Sequence, residues 1–518
     1  MPHTLVLPAL SGARIHLVGA KGTGMAALAE ILKAQGAILS GSDVADVFYT
    51  DAILAGLGVD MKEGFSASNL PEGLDLVIHS AAYAPDRNPE LLEAARRSIP
   101  VMNYPEALGA LSARYDSSGI AGVHGKTTTT AMAGCLMSGL GLPATILAGS
   151  AVAGFGGRST KILGEEFFVA ETCEYRRHFL NFHPRRIVLT SVESDHQDYY
   201  PRYEDILAAF VEYGLLLPPG GELIYCADDA GAREAAAAIA SRRPDLRLVP
   251  YGQGAEGPFK VEYYRAGDGK AAFKLAGFHE EFVLKVPGEH LALDATAAIA
   301  LSCSLLGASR AARRDERTGA RPGTATAGDG GLPGGIAGLL PGDEGKLREA
   351  LLGFSGSKRR SELLGEAGGV VFMDDYGHHP TAIRDTIQGI KAFWPGRRLV
   401  VDFMSHTYSR TKALFDEFSA CLDEADIVIL HRIYASAREA PDPSLDGRKL
   451  FDAVSAHRSA SGSRPGSTLY FEDPEEARGP VLGLLKEGDL FLTMGAGDNW
   501  KLGAWLLEQE RKGDGGKA

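Results

Sequence analysis

The stretch GVHGKTTTT at residues 122–130 constrains the fold more than any other part of the chain. A glycine-rich loop ending in Lys-Thr can wrap a phosphate when consecutive backbone N–H groups and a helix N-terminus converge on the anion. The loop therefore has to leave a strand and open a helix, the repeating unit of a parallel α/β sheet. In that frame Lys126 reaches the transferred phosphate and the Thr127 hydroxyl reaches Mg²⁺. The preceding DSSGIAG, residues 116–122, is nevertheless a poor strand by propensity. Such a loop serves motors, kinases, switches and ligases alike, so the acceptor of the phosphate must be read elsewhere.

The 518 residues exceed one ordinary domain and allow about three or four. The first block reads strand, glycine turn, helix: RIHLV (14–18), GAKGTGM (19–25), then a helix with Leu28, Ile31 and Leu32 on one face, followed by strands AILS (37–40) and LVIHS (76–80). The phosphate loop opens a second block, whose helix carries Met132, Cys135, Leu136 and Leu140 and stops at GLGLP (139–143). Strands FFVAE (167–171), RIVLTSV (186–192) and ELIYC (222–226) follow, and FKVEYY (259–264) and EFVLKV (281–286) alternate as antiparallel strands of a β appendage. The third block repeats the alternation with VVFMDD (370–375), LVVDFM (399–404), DIVIL (426–430) and DLFLTM (489–494), and a helix is expected over 411–422. The expectation is an α/β protein of three domains, 1–112, 113–353 and 354–518. The first and last are Rossmann-like, and the central one is a phosphate-loop ATPase domain with a parallel sheet. Residues 308–345, rich in Gly, Ala, Arg and Pro, read as a flexible insertion.

A formal charge of -13 disfavours a nucleic-acid binder, so a polyanionic ligand has to be met by local cations. The five cysteines are scattered without a CxxC pair, which argues against a disulfide framework or zinc ribbon. The N-terminal MPHTLVLPAL lacks the basic and apolar regions of a signal peptide, and no apolar run is seen that approaches a membrane span. A cytosolic protein without membrane insertion is expected.

Several residues lie where chemistry is expected. Glu171 ends a strand, and Asp195 and His196 of VESDHQD follow another. Side chains at the carboxyl ends of neighbouring parallel strands face the ligand crevice, and a carboxylate such as Glu171 suits Mg²⁺. His196 is a less natural ligand for a hard cation, but it shares a block with the phosphate loop. Gly19, Gly22 and Gly24 read GxxGxG rather than GxGxxG, which points to a loop for the diphosphate of a nucleotide. NAD is the weaker alternative, despite Asp43 about 20 residues on. In DDYGHHP (374–380), His378 and His379 would point opposite ways in an extended segment, favouring contacts to ribose or substrate over one shared metal. SHTYSRT (405–411) gathers His406 and Arg410 at a strand-to-helix turn, a pocket suited to a carboxylate, with helix capping and a solvated Arg410 as the alternative.

Taken in order, GAKGTGM, SGSD, RNPE, GVHGKTTTT, ESDHQDYY, PGEHLALDATAAIA, KRRSELLG, DDYGHHPT, SHTYSRTKALFDEF and LTMGAGDNW make the chain resemble the Mur ligase superfamily, and within it the alanine-adding branch. The resemblance implies an ATP- and Mg²⁺-dependent ligase of peptidoglycan precursor synthesis. It would join L-alanine to the lactyl carboxylate of UDP-N-acetylmuramate through an acyl phosphate, as a monomer or homodimer. It further implies that Gly122, His124, Gly125, Lys126, Thr127, Thr128, His290, Arg360 and Asp375 bind ATP, and that Thr127, Glu171 and His196 form the metal site. Gly19, Gly22, Thr23, Gly24, Asp43 and Ser80 would hold the UDP-sugar, while Tyr376, His378, His406 and Arg410 would surround the amino acid. The chain departs from the family pattern at Ser191, Leu291, Asp294, Thr407 and ETCEY (171–175). A ligase that recycles a murein tripeptide and a non-catalytic nucleotide-binding regulator are the competing readings.

Overall fold

A computed structural model of the chain describes residues 6–318, 336, 339–435, 439–462 and 467–515. The chain falls into two compact units. The first runs up to Glu193 and includes Ile206–Lys260 and the stretch from Ala295 to Ala350; the second comprises Ser194–Asp205, Val261–Asp294 and the chain from Leu351 onward.

The first unit holds two sheets. One has five parallel strands in the order Asp60–Glu63, Ile38–Asp43, Arg14–Val18, Leu76–His79, Val101–Asn103. Chain order reverses beside Arg14–Val18, so the glycine turn after that strand sits at the switch point where such sheets bind ligands. The other has seven strands, with Asp116–Ala121 between Arg186–Leu189 and Phe167–Glu171, and is parallel except for the outer pair Ala144–Val152 and Arg158–Ile162. The poor strand former 116–121 is thus a central strand. Its small residues are demanded by packing: a Cβ on Gly119 would lie 2.1 Å from the Tyr213 hydroxyl of the covering helix Tyr203–Gly214. Buried Glu30, on the helix Thr23–Ala34, accepts from Arg158 Nη1 at 2.9 Å and from the Thr160 hydroxyl, tying the two sheet systems together.

Gly109, in the helix Tyr104–Ser112, meets the segment Tyr175–Asn181 so closely that a Cβ would stand 2.1 Å from the Asn181 carbonyl oxygen. Backbone cannot yield as a side chain can. Gly109→Ala is expected to cost about 1–3 kcal/mol, seen as a lower urea midpoint; an unchanged midpoint would contradict the contact.

The second unit carries a six-stranded sheet in the order Glu362–Ala367, Val370–Asp375, Asp489–Met494, Arg398–Phe403, Ile427–Leu430, Thr468–Tyr470, parallel except for its first pair. The expected helix over 411–422 is instead two short helices, Tyr408–Ala413 and Phe415–Ala420, broken at Leu414. The β appendage is present as an antiparallel sheet of Val261–Gly267, Lys270–Leu275 and Phe282–Leu284. It is part of the second unit, where Gly269 N–H donates to the Phe393 carbonyl at 3.0 Å.

Two sequence expectations change. The helix Glu289–Thr318 continues eleven residues into the supposed flexible insertion, and buried Asp343 accepts from Arg310 Nη1 at 2.6 Å. The arginine-rich run there extends an existing helix instead of having to nucleate its own, which lowers the entropic cost of ordering it. Residues 319–335, 337 and 338 lie outside the described residues. Furthermore, Glu289–Arg314 is long and apolar enough to cross a membrane, although 78% of its apolar window is buried within the protein. Its hydrophobic character follows from being covered on nearly all sides.

Candidate functional site

The glycine turn of the first sheet is braced from the neighbouring strand. Gly19 adopts φ 75°, and a Cβ there would come within 2.4 Å of Tyr83. Asp43 is buried, accepting from the Lys21 backbone N–H at 2.7 Å and from the Tyr83 hydroxyl at 3.2 Å. Gly22 precedes the helix Thr23–Ala34, Thr23 Oγ1 accepts from the Tyr49 hydroxyl at 3.0 Å, and Gly24 faces the Tyr104 ring. Ser80 directly follows the strand Leu76–His79, its hydroxyl accepting from Ala82 N–H at 3.3 Å. The structure brings these expected residues together, with Asp43 shaping the loop. A groove of about 460 Å³ lined by Glu30, Lys33, Phe155, Arg158 and Lys161 contains none of them.

In the same unit Gly122 and Gly125 have φ 141° and 79°, and Gly125 caps the helix Lys126–Leu140. Gly122 is required twice over, since its Cβ would lie 2.0 Å from Thr190 Oγ1. His124 N–H donates to Ser191 Oγ at 2.9 Å, so Ser191, one of the departures seen in the sequence, holds the loop. Lys126 Nζ lies 2.9 Å from Glu174 and also donates to the Gly122 and Val123 carbonyls. Burial would lower its pKa, but the carboxylates of Glu174 and Glu171 outweigh that and raise it, so it stays charged. Thr127 Oγ1 donates to Glu171 Oε2 at 2.7 Å, placing a hydroxyl and a carboxylate side by side. Thr128 lies buried in the first turn of the helix.

His196 belongs to the second unit, as do the remaining expected residues. It sits at φ 55° beside buried Asp195, whose Oδ1 accepts its backbone N–H at 2.7 Å. The same oxygen accepts from Arg410 Nε at 3.0 Å and Nη2 at 2.8 Å. Burial alone would raise the Asp195 pKa; Arg410 instead holds it well below the usual carboxylate range. Arg410 is itself only 5% exposed, which removes the reading of a solvated arginine on a capped helix. Its Nη1 donates to His406 Nδ1 at 3.2 Å, and the His406 ring stacks on Tyr434 at 5.9 Å. His378 Nδ1–H donates to the Tyr376 carbonyl at 2.8 Å, and its ring lies 5.9 Å from that of His406. Burial, with Arg410 nearby, depresses its pKa well below the ordinary value. It is therefore neutral at physiological pH, with the lone pair on Nε2. Thr407, at φ 68° and ψ 137°, is a β-branched outlier that opens the helix bearing Arg410, and such strain concentrates at ligand sites.

Asp375 points into its own loops, accepting from Ser361 N–H and Gly377 N–H at 2.6 Å each. Arg360 lies over the Tyr376 ring at 5.1 Å. Its neighbour Arg359, not singled out from sequence, pairs with buried Asp374 at 2.9 Å and reaches the Gly495 carbonyl at 2.6 Å. His290 stands at the start of Glu289–Thr318, against Gly288.

With this geometry in hand, the sequence profile of the Mur ligase family catalytic domain matches residues 14–116, that of the Mur ligase middle domain 120–302, and that of the Mur ligase glutamate ligase domain 359–497. The chain belongs to the Mur ligase family. It is 52% identical to a UDP-N-acetylmuramate–L-alanine ligase of Treponema pallidum over 96% of this chain and 97% of that one. A ligase of the same name from Borreliella burgdorferi is 36% identical over 95% and 98%. Among solved structures, the UDP-N-acetylmuramate-alanine ligase of Thermotoga maritima shares the fold at TM-score 0.69 and 23% identity, covering 96% of this chain and 99% of its own. MurF ligase of Thermotoga maritima, in complex with ADP, does so at TM-score 0.58 and 15% identity over 98% and 100%.

Within this Mur ligase chain, Asp195, Glu174, Ser191 and the Arg359–Asp374 pair are the residues that sequence reasoning passed over as partners. Each adjoins a quoted motif, but pairings such as Asp195 with Arg410, 215 positions apart, leave no spacing signal.

Proposed function

We propose that the protein is an ATP-dependent ligase that joins L-alanine to the lactyl carboxylate of UDP-N-acetylmuramate, in cytoplasmic peptidoglycan precursor synthesis. The observation that carries this reading is 52% identity, along nearly the whole chain, to a ligase named for that reaction. The phosphate-loop geometry supplies its chemistry. The loop N–H groups and the start of Lys126–Leu140 bind the ATP phosphates, and charged Lys126 stabilises the moving phosphoryl group. Thr127 and Glu171 offer the hard oxygen donors that suit Mg²⁺, with His196 as a further candidate. When bound, the ion neutralises phosphate charge. The lactyl carboxylate oxygen bonds to the γ-phosphorus as the bond to the β-phosphate oxygen breaks, releasing ADP. The alanine amine then attacks the acyl carbon, loses a proton and expels phosphate, leaving an amide. Gly19, Gly22, Thr23, Gly24, Asp43 and Ser80 hold the UDP-sugar. Tyr376, His378, His406 and Arg410 surround the amino acid, while Arg360, Asp375 and His290 serve ATP.

The test is phosphate release by the purified protein with MgATP and UDP-N-acetylmuramate, comparing L-alanine, glycine, L-serine, the murein tripeptide and no acceptor. Release that requires both the sugar nucleotide and L-alanine is expected. Turnover only with the tripeptide would transfer the assignment to a recycling ligase, and binding without turnover would make the chain a regulator.

A further inference from the structure

We propose that Asp195 is a positioning residue that orients Arg410 to grip the acceptor's free α-carboxylate, and so sets selectivity for an amino acid over its carboxyl-blocked analogue. This inference rests on the ligase reading above. A buried arginine with rotatable bonds has no fixed orientation of its own. Here the Nε and Nη2 edge is engaged by Asp195 Oδ1 at 3.0 and 2.8 Å, and Nη1 is engaged by His406, through Nδ1 at 3.2 Å and the backbone carbonyl at 3.4 Å. What remains for a ligand is one N–H of Nη2 together with Nη1, whose 3.4 Å bond to the His406 carbonyl is the longest of the set and the easiest to exchange. These form the end-on fork of the guanidinium, which matches the two oxygens of a carboxylate.

The anchor is itself fixed. Asp195 Oδ1 also accepts the backbone N–H of His196 at 2.7 Å, in a turn where His196 takes φ 55°. Thr407, at φ 68°, fixes the other end by opening the helix on which Arg410 rides. One carboxylate oxygen therefore ties the 194–200 segment to the acceptor-side helix. The Asp195 charge also offsets that of Arg410, which lowers the cost of holding the arginine buried before a zwitterionic amino acid enters.

The experiment is steady-state phosphate release with L-alanine and with L-alaninamide, for the wild type, Asp195→Asn, Arg410→Lys and the double variant. Asp195→Asn keeps the side-chain shape and removes the charge. Its KM for L-alanine should rise about tenfold, a loss of about 1.4 kcal/mol, with kcat within threefold and KM for ATP and UDP-N-acetylmuramate within twofold. Preference for L-alanine over L-alaninamide should collapse. Arg410→Lys keeps the charge but loses the fork, so it should show the same loss of preference, and the double variant should be little worse than either single one. A fall in kcat with unchanged KM for L-alanine would overturn the proposal, assigning Asp195 to the phosphate side through His196. If Asp195→Asn does not fold, wild-type preference retained in Arg410→Lys overturns it equally. Absence of L-alanine-dependent release from the wild type would instead sink the ligase reading, a distinguishable failure.

Discussion

Lys126→Ala is expected to lower phosphate release by about 10²–10³-fold, the usual loss when one preorganised stabiliser of developing charge is removed. UDP-sugar binding should survive, because Gly19 to Gly24 and Asp43 form a separate loop on a separate sheet. The substitution also leaves Glu174, only 3% exposed at its side chain, without its cation. Breaking such a pair from one side costs about 3–5 kcal/mol, so lost turnover could be confused with lost structure. Lys126→Ala combined with Glu174→Gln removes the stranded charge and should regain stability but not turnover. Phosphate release and thermal midpoints, measured together, separate the two effects. Near-normal release by the single variant would overturn the role proposed for Lys126.

Asp402→Ala is expected to destabilise the second unit by about 3–5 kcal/mol. Asp402 and His431 are fully buried and paired at 2.7 Å, and the second Asp402 oxygen accepts from Asn499 Nδ2 at 2.9 Å. His431 Nδ1 faces the Phe471 carbonyl at 3.1 Å, so both ring nitrogens meet acceptors, the pattern of an imidazolium. Burial would lower the His431 pKa, but the charge and hydrogen bond of Asp402 raise it above the ordinary 6.5. The folded protein therefore holds this proton more tightly than the unfolded chain does. The stabilisation is fully present below pH 6.5 and is lost as pH rises through the raised folded value. Urea midpoints measured across that window should fall for the wild type and flatten for Asp402→Asn. A wild-type midpoint rising with pH there would contradict the assignment unless other groups shown to titrate accounted for it.

Much of the α/β architecture was legible because buried parallel strands are nearly continuous hydrophobic runs, as in RIVL, FFVAE and DLFLTM. Short edge strands such as Asp60–Glu63 and Val101–Asn103 gave no such signal. The central strand Asp116–Ala121 was the instructive case. Its Ser-Ser-Gly composition argues against a strand in isolation. It is fixed as one by hydrogen-bonded partners on both sides and by a helix pressed so close that Gly119 cannot carry a side chain.

The sequence by itself determined the family, the phosphate loop and the chemical types available, because glycine, lysine and threonine at fixed local spacing have one economical use at a strand-to-helix turn. Tertiary structure decided which charge meets which. Asp195 on Arg410, Glu174 on Lys126, Asp374 on Arg359 and Asp402 on His431 join positions that are 15 to 215 residues apart. A buried charge is tolerated only beside its partner, and which partner stands there is settled by how the elements pack.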